Sequence, residues 1–258
     1  MSALNGTGAL NGTGALNGRK AVVTGASRGV GRAIALRLAA DGAAVVVGYH
    51  QGESAAKSCA EEIRAAGGTA HTVGADLADL EQVRAFMTRA GELLGGLDIV
   101  VNNAAESEQV AIADADDTHY ERVMAVNARA PFFIMQCAQA VLGEGGRIIN
   151  ISSIVTSLSA PGAAVYAGSK AALERFTTTA AHELGPRGIT VNAIAPGTVD
   201  TDMLRELHGE RAREALAAVT PLRRLGRGDD IAGVVAFLAG GDAAFVTGQT
   251  IAVNGGFR

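Results

Sequence analysis

Seven short runs recur along the chain: KAVVT (20–24), AAVVVG (43–48), TAHTVGA (69–75), LDIVVN (97–102), RIINIS (147–152), ITVNAIA (189–195) and TIAV (250–253). They are mostly apolar and β-branched, as strands buried on both faces of a parallel sheet are. Helical patterns fill the gaps. GRAIALRLAADG (31–42), ESAAKSCAEEIRAAGG (53–68) and DLEQVRAFMTRAGELLGG (79–96) each end at glycine, a common helix stop. Strand and helix alternate without a linker. The pattern predicts one doubly wound α/β domain over residues 19–258. The competing arrangement is two smaller α/β domains within the 258 residues.

Composition narrows the function classes. Hydrophobic residues make up 48% of the chain, enough for a sizeable core. The net charge of −4 lacks the basic excess of a nucleic-acid binder. No apolar run is long enough for a membrane span, and no signal-peptide pattern opens the sequence, so a cytoplasmic address is expected. Cys59 and Cys137 read as free thiols. No metal-ligand cluster is predicted. ALNGTG (3–8) repeats at 9–14 and returns as ALNGRK (15–20), so residues 1–18 read as a flexible lead. A truncation starting near Leu16 is expected to keep full activity.

A polar, helical stretch interrupts the rhythm at 197–230. It follows the carboxyl end of the sixth strand, where ligands bind in open α/β sheets. Residues 197–220 are therefore expected to form a substrate lid; a plain surface insertion is the alternative.

VTGASRGVGRAIA (23–35) links the first strand to the first helix. Gly25, Gly29 and Gly31 permit a tight turn and a close approach to a pyrophosphate at the helix N-terminus. The spacing is G-x-x-x-G-x-G, and a turn without a ligand is the competing reading. Ser27, Arg28 and Val30 join the expected contacts. The second strand ends in Tyr49 and His50, with no carboxylate until Glu53. An acid there would bind a ribose 2′-hydroxyl, whereas Arg28 would attract a 2′-phosphate. The expected cofactor is NADP(H). An ordinary solvated role for Arg28 stays open, and His50 is the weaker contact.

TGASRGVG (24–31), NNAA (102–105), Asn127, Ser153, YAGSK (166–170) and PGTVDT (196–201) stand in an order that resembles the short-chain dehydrogenase/reductase family. The resemblance runs from about residue 18 to the terminal VNGG. It implies a single Rossmann-type domain with a seven-stranded parallel sheet flanked by helices, and a nicotinamide cofactor. It implies a catalytic tetrad of Asn127, Ser153, Tyr166 and Lys170. It places Asp76, with Leu77, at the adenine, Asn102 and Ala104 along the cofactor, and Pro196, Gly197, Val199 and Thr201 at the nicotinamide carboxamide. Ala105 departs from the glycine usual there.

Tyr166 and Lys170 are four residues apart, so a helix sets them on one face. A nearby ammonium is expected to lower the tyrosine pKa from about 10. The expected reaction is hydride transfer to a ketone, with Tyr166 giving the proton, Ser153 orienting the oxygen, Lys170 holding the nicotinamide ribose and Asn127 anchoring a water. The chain is similar to 3-oxoacyl-carrier-protein reductases, so a carrier-bound 3-oxoacyl thioester is one candidate substrate. Arg187 would face an acidic carrier protein; Glu144 argues against that partner. A free cyclic or polyketide-like ketone is the other candidate. An alcohol or sugar dehydrogenase and a non-catalytic nucleotide-binding regulator remain alternatives. Val155, Ala160, Gly162, Met203 and Leu204, with Ser153, are the expected pocket. The apolar helix expected at 121–142 implies, by resemblance, a homotetramer.

Overall fold

The computed structural model describes residues 14–207 and 209–257, without the side chains of Met203, Glu206 and Leu207. Seven strands form one parallel sheet: β1 (Lys20–Val23), β2 (Ala44–Tyr49), β3 (Ala70–Gly74), β4 (Leu97–Asn102), β5 (Leu142–Ile151), β6 (Thr190–Pro196) and β7 (Thr250–Val253). Their order is β3-β2-β1-β4-β5-β6-β7. The order reverses between β1 and β4, which opens a crevice at their carboxyl ends.

Parallel neighbours need crossovers, and helices supply them. On one face α1 (Gly29–Ala40), α2 (Glu53–Ala65) and α9 (Gly228–Ala239) bury Ile34, Leu38, Ile63 and Val235 against Val23, Val45, Val47, Ile99 and Val101. On the other, α3 (Leu80–Leu94), α5 (Ala130–Val141) and α6 (Ala164–Leu184) bury Phe86, Met87, Ile134 and Leu184 against Val22, Val46, Val100 and Ile148. Successive strand residues thus enter opposite cores, which is why the strands read as unbroken apolar runs.

Three local features differ from the sequence reading. β5 begins at Leu142, five residues earlier than expected, because Leu142 pairs with Leu97 before the register shifts to Ile99 and Arg147. The helix expected at 121–142 is divided into α4 (Asp117–Met124), a π turn (Ala125–Arg129) and α5. Pro131 has no N–H to give the carbonyl four residues back, that of Asn127, so the regular helical ladder breaks there. Residues 14–18, assigned to the flexible lead, belong to the fold. Leu16 is 1% exposed within the first core, and its N–H donates to the Asp41 carbonyl at 2.9 Å. The repeat up to residue 13 lies outside the described residues. Cys59 and Cys137 are free thiols, and burial pushes Cys59 up to about 11. Among the described residues no helix is long and apolar enough to cross a membrane, and no residue cluster suits a metal.

Candidate active site

The glycine turn between β1 and α1 is held from β4. Gly25 and Gly29 have φ of +62° and +57°, in the left-handed region that favours glycine. A Cβ on Gly25 would stand 2.8 Å from the Ala104 Cα, and one on Gly31 would collide with the Gly25 carbonyl and the Asn103 amide. Asn103 Nδ2 donates to the carbonyls of Thr24 (2.9 Å) and Gly25 (3.0 Å). Thr24 Oγ1 accepts from the N–H groups of Asn103 and Ala104 at 2.9 and 3.1 Å. The result is a tight cradle at the α1 N-terminus, where Ser27, exposed Arg28, Gly29 and Val30 lie. Such a cradle has room for a pyrophosphate only because side chains are missing from its floor.

The other expected cofactor residues gather at the same edge. Tyr49 is half-buried against Gly74, and His50 is exposed with Nε2 3.9 Å from Asp76 Oδ2. Asp76 accepts from the Ala78 N–H at 3.0 Å and from Arg122 at 3.3 Å. Gly197 lies against Asn254, Val199 bridges to Gly226, and the Thr201 methyl sits 3.6 Å from where a Gly29 Cβ would stand. The Pro196–Thr201 segment therefore closes over the glycine turn. Two side chains turn inward instead. Leu77 packs in the second core. Asn102 donates to Asn150 Oδ1 at 2.8 Å, and Asn150 donates to Thr177 Oγ1 at 2.8 Å. Neighbouring parallel strands align Asn102 with Asn150, so their amides form a buried polar ladder.

The four tetrad residues come from β5, α6 and the π turn. Tyr166 and Lys170 share a face of α6, with Lys170 Nζ 5.8 Å from the centre of the Tyr166 ring. Lys170 is 2% exposed, and Nζ donates to the Ile151 carbonyl at 2.8 Å. Burial pulls its pKa down to about 8, with the Glu174 charge opposing. Ser153 follows β5 and is hydrogen-bonded to Tyr166. Asn127 is fully buried in the π turn. Its Oδ1 accepts from the Glu106 N–H at 2.9 Å, and its Nδ2 donates to the Glu106 carbonyl (2.7 Å) and to Ser169 Oγ (3.1 Å). Both amide hydrogens are thereby committed, so the side chain braces the loop after β4 rather than offering a donor to water.

The Tyr166 pKa runs opposite to the sequence expectation. Burial of the phenol pushes it up, and the Ser153 hydrogen bond only partly offsets this. Withdrawal from water penalises the phenolate, and this outweighs the bond from Ser153.

A family model described as Enoyl-(Acyl carrier protein) reductase matches residues 25–258. The chain belongs to the short-chain dehydrogenase/reductase family, and it is an oxidoreductase. An uncharacterized oxidoreductase of Methylorubrum extorquens is 47% identical over 92% of this chain and 97% of its own length. The 3-oxoacyl-[acyl-carrier-protein] reductase of Staphylococcus aureus is 41% identical over the same shares. Among solved structures, the angucycline C-6 ketoreductase LanV with bound NADP is 42% identical, with a TM-score of 0.88 over 93% of this chain and 96% of that one.

In this short-chain reductase the expected pocket residues only partly assemble. Val155, Ala160, Gly162 and Leu204 are all half-buried. Ala160 joins Leu158, Ser159, Pro161, Ala163 and Ala167 in a shallow, mostly apolar depression that Tyr166 does not line. The Gly162 carbonyl accepts from the Val110 N–H at 2.8 Å, which ties this wall to the loop after β4. The Met203 side chain lies outside the described residues. Arg187, expected to face a carrier protein, donates to the carbonyls of Gln139 and Leu142, both at 2.6 Å. It caps the end of α5, where bare carbonyls attract a cation. Arg122, Glu106, Asn103 and Glu174 were not foreseen. Only Glu174, one turn beyond Lys170, carried a helical-spacing signal.

Proposed function

We propose that the protein is an NADP(H)-dependent ketoreductase that converts a free cyclic ketone to a secondary alcohol. The observation that carries this reading is the Tyr166 hydroxyl, hydrogen-bonded to Ser153, with Lys170 one helical turn on and anchored to the Ile151 carbonyl. A proton donor must hold its proton until the reaction begins. The same geometry serves both directions, so the reading as a reductase leans on the ketoreductase relatives.

The cradle of Gly25, Gly29 and Gly31 fits a dinucleotide pyrophosphate, with Arg28 and His50 at the edge where a 2′-phosphate would lie and Asp76 where the adenine would. The NADP bound in LanV supports this choice. When bound, NADP(H) supplies the hydride. Ser153 hydrogen-bonds the ketone oxygen and holds it for Tyr166. Tyr166 gives that oxygen its proton as negative charge develops, and the Lys170 ammonium steadies the resulting phenolate. Lys170 is also suited to the nicotinamide ribose. Because Pro131 cannot donate to the Asn127 carbonyl, that carbonyl rather than the amide is the anchor for a water returning the proton.

Two features favour a free ketone over a carrier-bound thioester. Arg187 is engaged at the end of α5, and Glu144 is exposed close by. The segment of Leu158, Ala160, Pro161 and Ala163 that lies between Ser153 and Tyr166 in the chain is mostly apolar, which suits a ring system. The chain from residue 14 onward acts as one domain in the cytoplasm, and residues 197–220 as a substrate lid. Phe132, 44% exposed and edge-on to Phe133 and Phe176, belongs to a helix face suited to a homotetramer. Light scattering showing a monomer would overturn that assembly. The functional test is NADPH consumption with an acetoacetyl thioester and a bulky cyclic ketone side by side, with NADH in parallel. Faster turnover of the cyclic ketone with NADPH is expected; preference for the thioester would return the protein to acyl-chain reduction.

A further inference from the structure

Tyr166, Lys170 and Glu174 occupy successive turns on one face of α6, each four residues beyond the last. Each grips the short segment that leaves β5. Tyr166 is hydrogen-bonded to Ser153, and Lys170 Nζ donates to the Ile151 carbonyl at 2.8 Å. Glu174 Oε1 accepts from Ser152 Oγ at 2.5 Å and lies 3.0 Å from Thr156 Oγ1. Thr156 Oγ1 is also 3.0 Å from the Ser153 carbonyl and shares its one hydrogen between the two acceptors.

We propose that Glu174 is a positioning residue for the reduction: its carboxylate ties the hydroxyls on either side of Ser153 to the helix that carries Tyr166 and Lys170. This inference rests on the ketoreductase reading. Ser153 itself is held lightly. Its Oγ makes only a long contact to the Val155 N–H, at 3.4 Å, besides the bond to Tyr166. Its place relative to the phenol is therefore set by its neighbours. Ser152 and Thr156 bracket it, and one carboxylate oxygen collects both. The charge matters as well as the shape, because hydrogen bonds to an ionised acceptor are roughly twice as strong as neutral ones. The Glu174 carboxylate bonds Ser152 and Thr156 and not the glycine cradle, so its influence falls mainly on the chemical step; its charge also holds up the Lys170 pKa, an effect that Ser152→Ala with Thr156→Val leaves in place.

The test measures kcat, the ketone KM and the NADPH Kd for wild type and for variants at Glu174 and its two donors. Glu174→Ala is expected to lower kcat by about 10- to 100-fold, the scale of a small misplacement at a reacting centre, with the NADPH Kd within about twofold. Glu174→Gln keeps an acceptor oxygen in the same place without the charge and should recover part of that loss. Ser152→Ala with Thr156→Val removes both donors without touching α6, and should reproduce the Glu174→Ala loss. Combined with Glu174→Ala it should add little, because the three groups act as one unit. A Glu174→Ala enzyme with kcat within twofold of wild type would overturn the proposal. So would a loss of NADPH binding in proportion to activity, which would mark a merely structural residue. If wild type itself reduces no ketone with NADPH, the ketoreductase reading fails instead, and the two failures are told apart by that control.

Discussion

The floor of the site and its expected lid are held together by opposite means. On the floor, Asn127 and Lys170 are 0% and 2% exposed, and their polar atoms bond to backbone carbonyls, an amide N–H and Ser169. The lid, with α7 (Asp202–Leu207) and α8 (Glu210–Val219), has no buried residue among those described in its helices. It is fastened by ion pairs that meet at Asp200: Arg205 from α7 at 3.0 Å and Arg213 from α8 at 3.6 Å. Buried hydrogen bonds in low dielectric fix geometry, whereas exposed ion pairs are each worth about 0–1 kcal/mol and weaken with salt. In the proposed reading, the chemistry falls to the buried part and substrate choice to the ion-paired part.

The largest expected effect tests the floor. Tyr166→Phe removes one hydroxyl and little else. General acid catalysis contributes about 10²- to 10⁴-fold, so kcat should fall by about 10³-fold. NADPH binding, followed by fluorescence titration, should stay within about twofold of wild type. Substantial residual turnover would take the proton donor away from Tyr166 and erase the distinction between floor and lid.

Next comes Lys170, whose burial has a pH signature. Its folded pKa of about 8 lies below the ordinary 10.5. Below pH 8 both states carry the proton, and the fold bears the full cost of a buried charge. Between pH 8 and 10.5 the folded protein sheds the proton while the unfolded chain keeps it, so this residue's contribution to stability rises with pH. Lys170→Met has no such dependence. Relative to wild type, the variant should therefore be more stable at pH 7 than above pH 10 by about 3 kcal/mol, read from urea denaturation at each pH. Cys59, also shifted by burial, is present in both proteins and cancels. An equal stability difference at both pH values would mean that Lys170 is well hydrated.

The lid should respond more weakly. Asp200→Asn removes the charge to which both lid arginines are drawn. A rise of about three- to tenfold in ketone KM, with kcat nearly unchanged, is expected from loss of one or two exposed ion pairs. Wild type should move toward the same KM as salt is raised, and limited proteolysis should cut the variant faster between 200 and 220. A fall in kcat as large as that of Tyr166→Phe would show that the lid belongs to the rigid machinery.

Much of this contrast was legible before the structure. Strands buried on both faces leave unbroken β-branched runs, so β2, β4, β6 and β7 lie within one residue of their sequence positions. The start of β5 was hidden because only Leu142 of LGEGG pairs, with Leu97, and the rest carries no apolar pattern. The π turn had a visible cause in Pro131, but an apolar helical period masks a single proline. Spacing revealed Tyr166 and Lys170 as a pair, while the direction of the tyrosine pKa depends on burial, which no spacing encodes. The Arg122 contacts to Asp76 and Glu106 join loops after β3 and β4 that only the sheet order brings together. Lid pairings were out of reach for the same reason: exposed charges partner by proximity.

The smallest effect concerns Ala105, the residue that departs from the family pattern. It lies beside Ala104, which packs on Gly25, and one residue before Glu106, whose backbone is clamped by Asn127. Its backbone is thus held from both sides, and a methyl there changes pocket width more than loop position. Ala105→Gly should alter kcat/KM for a small ketone by no more than about twofold, in line with surface substitutions of about 0.5 kcal/mol. A bulkier cyclic ketone should gain slightly from the added room. If the glycine variant instead loses NADPH affinity, the loop after β4 is less firmly braced than its hydrogen bonds imply, and part of the floor would have to be counted with the proposed lid.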